Sequence, residues 1–166
     1  MKDVRENLAR TIEAEIRIQQ RILDRLKEQE EILVKCAFAE LEDNLKHLDG
    51  LRFEARELHT VRESLKGDLA HWLQLKKDNV PLMELAGAVG GPYAEGLSSL
   101  RDRLVEAAKA VRAQTRLNMV IIRQSMKLNN ELIAGVRGGF VDHLSTYGNC
   151  GEIIPSESSG IVDAQI

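Results

Sequence analysis

Residues 97–144 read LSSLRDRLVEAAKAVRAQTRLNMVIIRQSMKLNNELIAGVRGGFVDHL. Leu97, Leu100, Leu104, Ala107, Val111, Gln114, Asn118, Ile121, Ser125, Leu128, Leu132, Val136 and Phe140 recur every three or four positions. That period lines one side of an α-helix, whereas a strand would alternate every second residue. The helix should begin near residue 95, where Ser98 or Ser99 can cap a late start. Gln114, Asn118 and Ser125 are polar members of an apolar seam. Such residues set register, mark a partly exposed seam, or bind a specific ligand. Gly135, Gly138 and Gly139 soften the end of the run.

Upstream, Gly87, Gly90, Gly91 and Pro92 make the central break of the chain. Gly90-Gly91 has no preceding strand and no following Lys-Ser/Thr, so a phosphate-cradling loop is not indicated. Pro81 can open a short helix over about 82–88, and the residue before it is pushed out of helical geometry. The run before that, about 39–77, steps from Leu41 through Leu45, Leu48, Leu51, Ala55, Leu58, Val61, Leu65 and Leu69 to Trp72. Nine steps over 31 residues average about 3.4, close to the heptad period that winds helices together. The first run, about 3–34, has Val4, Leu8, Ile12 and Ile16 four apart, then Ile18, Ile22, Leu26 and Leu33 on a displaced stripe. Asp3 can cap it, with Glu6 three residues on. Lys35-Cys36-Ala37-Phe38 is the expected turn.

The expectation is an all-α fold, an elongated antiparallel bundle of three long helices with a short connecting helix. The helices should cover about 3–34, 39–77, 82–88 and 95–144 in one domain over 1–144. Residues 145–166, with Gly, Pro and Ser among scattered apolar side chains, form a flexible C-terminal tail. Composition agrees: 4% aromatic, 30% charged and only 3 Pro suit narrow Leu-filled seams better than a sheet.

The net charge of −3 does not by itself call for nucleic acid or a membrane. Its distribution is uneven. Residues 1–78 carry 15 bases and 17 acids; residues 79–100 carry 2 acids and no base. Residues 101–143 carry 8 bases and 4 acids, net +4, and residues 144–166 carry 3 acids and no base, net −3. The bases of the last helix spread around it, which argues against a phosphate-tracking face. Cys36 and Cys150 have no metal-like spacing and read as free thiols. The first residues carry acids and no apolar core segment, unlike a secretory signal, and no 18-residue apolar run spans a membrane. A cytoplasmic location is expected. His47, His59, His71 and His143 do not line up as ligands, and the acid-x-x-His spacing of Asp68 and His71 lacks the second copy a di-iron bundle needs. No nucleophile elbow or Cys–His signature occurs. Neither an enzyme, a metal nor a cofactor is expected.

Two ordered segments resemble the FlgN family of flagellar type III export chaperones. One is Leu26-Lys27-Glu28-Gln29-Glu30-Glu31-Ile32-Leu33 followed by Phe38-Ala39-Glu40-Leu41-Glu42 and Leu48-Asp49-Gly50-Leu51. The other is Asn129-Asn130-Glu131-Leu132-Ile133 followed by Tyr147-Gly148-Asn149-Cys150-Gly151. The stretch from Gly135 to Ser145 is shorter than the family's usual linker before the Tyr. The resemblance implies a cytoplasmic chaperone that binds hook-associated flagellar proteins, prevents their premature assembly and delivers them to the export gate. With it, Leu128, Leu132, Val136, Phe140 and Leu144 of the final helix are the candidate substrate-protein contacts, core packing being the other reading of the same residues, and Tyr147 is the candidate export-gate contact, the other reading being a Tyr packed back on the bundle. The reading from another class is a structural coiled-coil scaffold or self-associating bundle with no client.

Overall fold

The computed structural model describes residues 2–75 and 80–144, and the side chains of 3–75 and 80–136. All of its regular structure among these residues is helical: α1 (Lys2–Lys35), α2 (Phe38–Trp72), α3 (Leu82–Val89) and α4 (Gly91–Leu144). The chain divides into two compact units, Met1–Ile122 and Arg123–Ile166. Within the first unit, Arg62 meets Glu15, Glu54 meets Arg21 and Asn44 meets the Arg25 carbonyl. Numbers fall on α2 as they rise on α1, so this pair is antiparallel. Tyr93 reaches the Arg5 carbonyl and Asn118 the Leu26 carbonyl, so the first part of α4 runs in the direction of α1.

Helix ends differ from the sequence expectation at two places. α2 stops at Trp72, and Gln74 sits in the left-handed region at φ 55. There the Gln74 N–H donates to the His71 carbonyl and the Leu75 N–H to the Ala70 carbonyl, the paired bonds that finish a helix. Cys36, also at φ 55, closes α1 in the same way, with Ala37 N–H donating to Ile32 and Cys36 N–H to Leu33. Neither end has the glycine that usually takes this conformation, so the sequence gives little warning of them. α4 begins at Gly91, with Pro92 in its first turn, where a missing N–H costs nothing. Ser98 is therefore no cap; its hydroxyl lies 3.7 Å from the Met83 sulfur. Asp3 falls inside the first turn of α1, where its charge suits the helix dipole.

The core forms two clusters. Leu8, Ile12 and Ile16 of α1 meet Leu69 and Ala70 of α2, Leu85 and Ala86 of α3, and Leu97 of α4. Further along, Ile18, Ile22 and Leu26 meet Leu48 and Leu51, with Val111 at the margin. The displaced stripe of α1 has its reason here, since one helix must cover both α2 and α4. Fully burying a Leu or Ile contributes about 1.5–3 kcal/mol, and Leu8, Ile12, Leu26, Leu48, Leu69, Leu85 and Leu97 are the deepest of these side chains. Leu45, Val61 and Trp72, members of the apolar rhythm of α2, remain exposed. Asn44 and Lys66 are buried on that helix instead.

Polar contacts fix the register. Asn118, 2% exposed, donates to the Leu26 carbonyl at 2.7 Å and to Gln29 Oε1 at 2.9 Å, and accepts from Gln114 Nε2 at 3.1 Å. Asn44, buried on α2, donates to the Arg25 carbonyl at 3.1 Å. Gln114 also donates to Glu30. The polar seam residues Gln114 and Asn118 thus hold helix to helix. Lower in the bundle, Arg62 pairs with the buried Glu15, and donates to Glu63 Oε1 at 3.2 Å and to His59 Nδ1 at 2.7 Å. Burial raises the Glu15 carboxyl above its ordinary value of 4.5, and the Arg62 and His59 charges only partly offset it. Glu63 is also pushed up by burial, but hydrogen bonds and charge from Lys66 and Arg62 win and hold it below 4.5. At the far end the Arg5 guanidinium lies 5.8 Å from the Trp72 ring centre and 5.5 Å from that of Tyr93. Burial raises the Tyr93 hydroxyl above 10.0 against the opposing Arg5 charge.

Candidate functional site

Burial along α4 changes with position. Leu97 and Asn118 are buried and Gln114 and Ile121 half-buried, whereas every described side chain from Ile122 to Val136 is exposed. Leu128 is 60%, Leu132 68% and Val136 61% accessible. These three expected binding residues therefore present apolar surface at helical spacing, within the unit Arg123–Ile166. Phe140 and Leu144 lie within α4, but their side chains fall outside the described residues, as does Tyr147 altogether.

Met126 and Ile133, both exposed, add apolar area that the seam count passes over. They stand seven residues apart, two helical turns, and so share a second side of the helix. Searching for exposed as well as seam positions at that interval would have found them. Five large apolar side chains, on two sides of one helical segment, thus stand exposed, more uncovered apolar surface than scattered single residues give. Its polar flank carries Arg123, Lys127 and Glu131, the last two paired at 3.7 Å. Gly135 has open space where a Cβ would stand, so its small size serves no close approach within the described structure.

Among the described residues no group of three or more His, Cys, Asp or Glu gathers as a metal site. His47 contacts the Asp43 carbonyl at 2.8 Å and His59 accepts from Arg62, ordinary helix-surface partnerships. Cys36 is an exposed free thiol. Among the described residues no helix is long and apolar enough to cross a membrane.

Among the described residues the chain is all-helical, with polar contacts pinning its core and an apolar helical segment left exposed. Residues 1–153 match the family described as FlgN protein, and the chain belongs to that family. Comparison with curated proteins and with solved structures returns no match. Family membership suggests a flagellar export chaperone.

Proposed function

We propose that this protein is a cytoplasmic export chaperone, built on an antiparallel arrangement of three long helices. It binds hook-associated flagellar subunits, prevents their premature assembly and delivers them to the type III export gate. The observation that carries the reading is the exposed apolar stripe of α4 in a chain of this family. An assembly-prone subunit carries amphipathic segments that would pair with one another, and a helix with uncovered Leu and Val positions offers such a segment an alternative seam. Leu128, Leu132 and Val136 are assigned to client contact, with Phe140 and Leu144 continuing the same spacing. Tyr147, with its apolar ring and polar tip, is assigned to the export gate.

The test is co-purification with candidate hook-associated subunits, comparing the full chain, a truncation ending at Ile133, and Leu128→Asp with Leu132→Asp. Loss of capture in the double variant with unchanged helicity supports the assignment. Capture that survives both changes moves the client site to the α1–α2 hairpin. No capture by the full chain, together with a tight oligomer in solution, replaces the chaperone by a scaffold.

A further inference from the structure

The client stripe and the residues that follow α4 are opposite in charge. The part of α4 that bears the stripe, residues 123–143, carries Arg123, Lys127 and Arg137 against Glu131 and Asp142, net +1, whereas residues 144–166 are net −3 from Glu152, Glu157 and Asp163 with no base. The acidic segment also holds Ile153, Ile161 and Val162, β-branched side chains able to cover exposed leucines. We propose that residues 152–166 occupy the α4 stripe in the client-free protein and act as an intramolecular competitor for it. The inference rests on the client assignment of that stripe. Because the family match ends at residue 153, nearly all of this segment lies beyond the part shared with the family.

Chain length permits the contact. Leu128 lies 16 residues before Leu144, about 24 Å along a helix. The 17 residues from Ser145 to Ile161 extend to about 56 Å, enough to return to Leu128 with slack. Val136 is nearer, about 12 Å from Leu144, and the nine residues to Ile153 reach about 30 Å. Exposed Arg123, and Lys127 beside its Glu131 partner at 3.7 Å, can meet acids from a segment that has no base of its own, a better charge match than a second copy of a helix segment that is itself net +1. A short tether holds its ligand at an effective concentration on the order of 1 mM. For an intrinsic Kd of about 0.1 mM the stripe is then about nine-tenths covered, and an external client sees roughly a tenfold weaker site.

The experiment uses the full chain with Cys36→Ser and Cys150→Ser, and Ser158→Cys carrying a nitroxide. Methyl signals of Met126, Leu128, Leu132, Ile133 and Val136 should broaden selectively relative to Leu8 and Leu48, whatever the protein concentration. Ile153→Ser, Ile161→Ser and Val162→Ser together should remove the broadening and tighten capture of hook-associated subunits about tenfold. Broadening that passes from a spin-labelled copy to an isotope-labelled one in a mixed sample would assign the stripe to a second copy and overturn the proposal. Uniform broadening, or none, would overturn it as well. Subunit capture without stripe broadening defeats the competitor and leaves the chaperone reading, whereas stripe broadening without capture by any variant defeats the chaperone reading and the competition with it, leaving only the contact of the segment with α4.

Discussion

Replacing Asn118 by alanine removes one side chain and three hydrogen bonds. Two are donated, to the Leu26 carbonyl at 2.7 Å and to Gln29 Oε1 at 2.9 Å, and one is accepted from Gln114 at 3.1 Å. At about 1 kcal/mol net for each, the bonds amount to about 3 kcal/mol. Gln29 is itself buried, and stranding its carbonyl adds about 1 kcal/mol. The expected loss is therefore about 3–4 kcal/mol, a large share of an ordinary domain's stability. Urea titration followed by circular dichroism and Trp72 fluorescence should show a midpoint lower by roughly 1–2 M. A double-mutant cycle with Gln29→Ala should return a coupling of about 1 kcal/mol. Asn118→Leu keeps the seam filled and should cost less than Asn118→Ala. A loss under about 0.5 kcal/mol for Asn118→Ala, or no coupling to Gln29, would refute the claim that this side chain joins α4 to α1.

Further outcomes follow from other contacts. Gly90 stands at φ 67 and ψ 179, a conformation open essentially to glycine alone, so Gly90→Ala should destabilise by about 1–3 kcal/mol by chemical denaturation although open space surrounds the site. Gln74→Gly relieves a left-handed residue and should stabilise by about 0.5–1 kcal/mol in the same assay. Glu15 and Glu63 should give opposite pH slopes. The folded chain holds the Glu15 proton more tightly than the unfolded chain, so this contribution is complete below 4.5 and is lost as pH rises through the raised folded value. Glu63 is lowered, so its contribution is present above 4.5 and is lost as pH falls through the lowered value. Glu15→Gln should remove the first slope and leave the second, read as denaturation midpoints between about pH 3 and pH 7.

Sequence reasoning reached the helices because their seams are periodic, and it reached Gln114 and Asn118 because polar residues interrupt a period visibly. It placed Leu128, Leu132 and Val136 by continuing the same rhythm, but a rhythm does not say where cover ends. The change from half-buried Ile121 to exposed Leu128 depends on which neighbouring helices lie beside α4, a long-range fact. Asn44 escaped notice because it stands beside the Leu41-Leu45-Leu48 steps rather than on them. The Glu15–Arg62 pair spans 47 residues and looks like ordinary surface charge until the helices are paired. α2 ends at Trp72 on two main-chain bonds around Gln74, and no proline or glycine marks the place.

Asn44 and Asn118 reach α1 from different helices, yet both address its main chain, at the adjacent carbonyls of Arg25 and Leu26. A carbonyl survives any exchange of the side chain it belongs to. Positions 25 and 26 can therefore vary without erasing the acceptors, whereas neither asparagine can be exchanged without losing its donor. The fastening is a lock whose keyhole is common to all sequences and whose keys are two single residues. Exchange at Arg25 leaves the fastening whole, and exchange at Leu26 is limited by its burial rather than by the bond; drift at Asn44 or Asn118 must be matched by a new way of holding three helices in step.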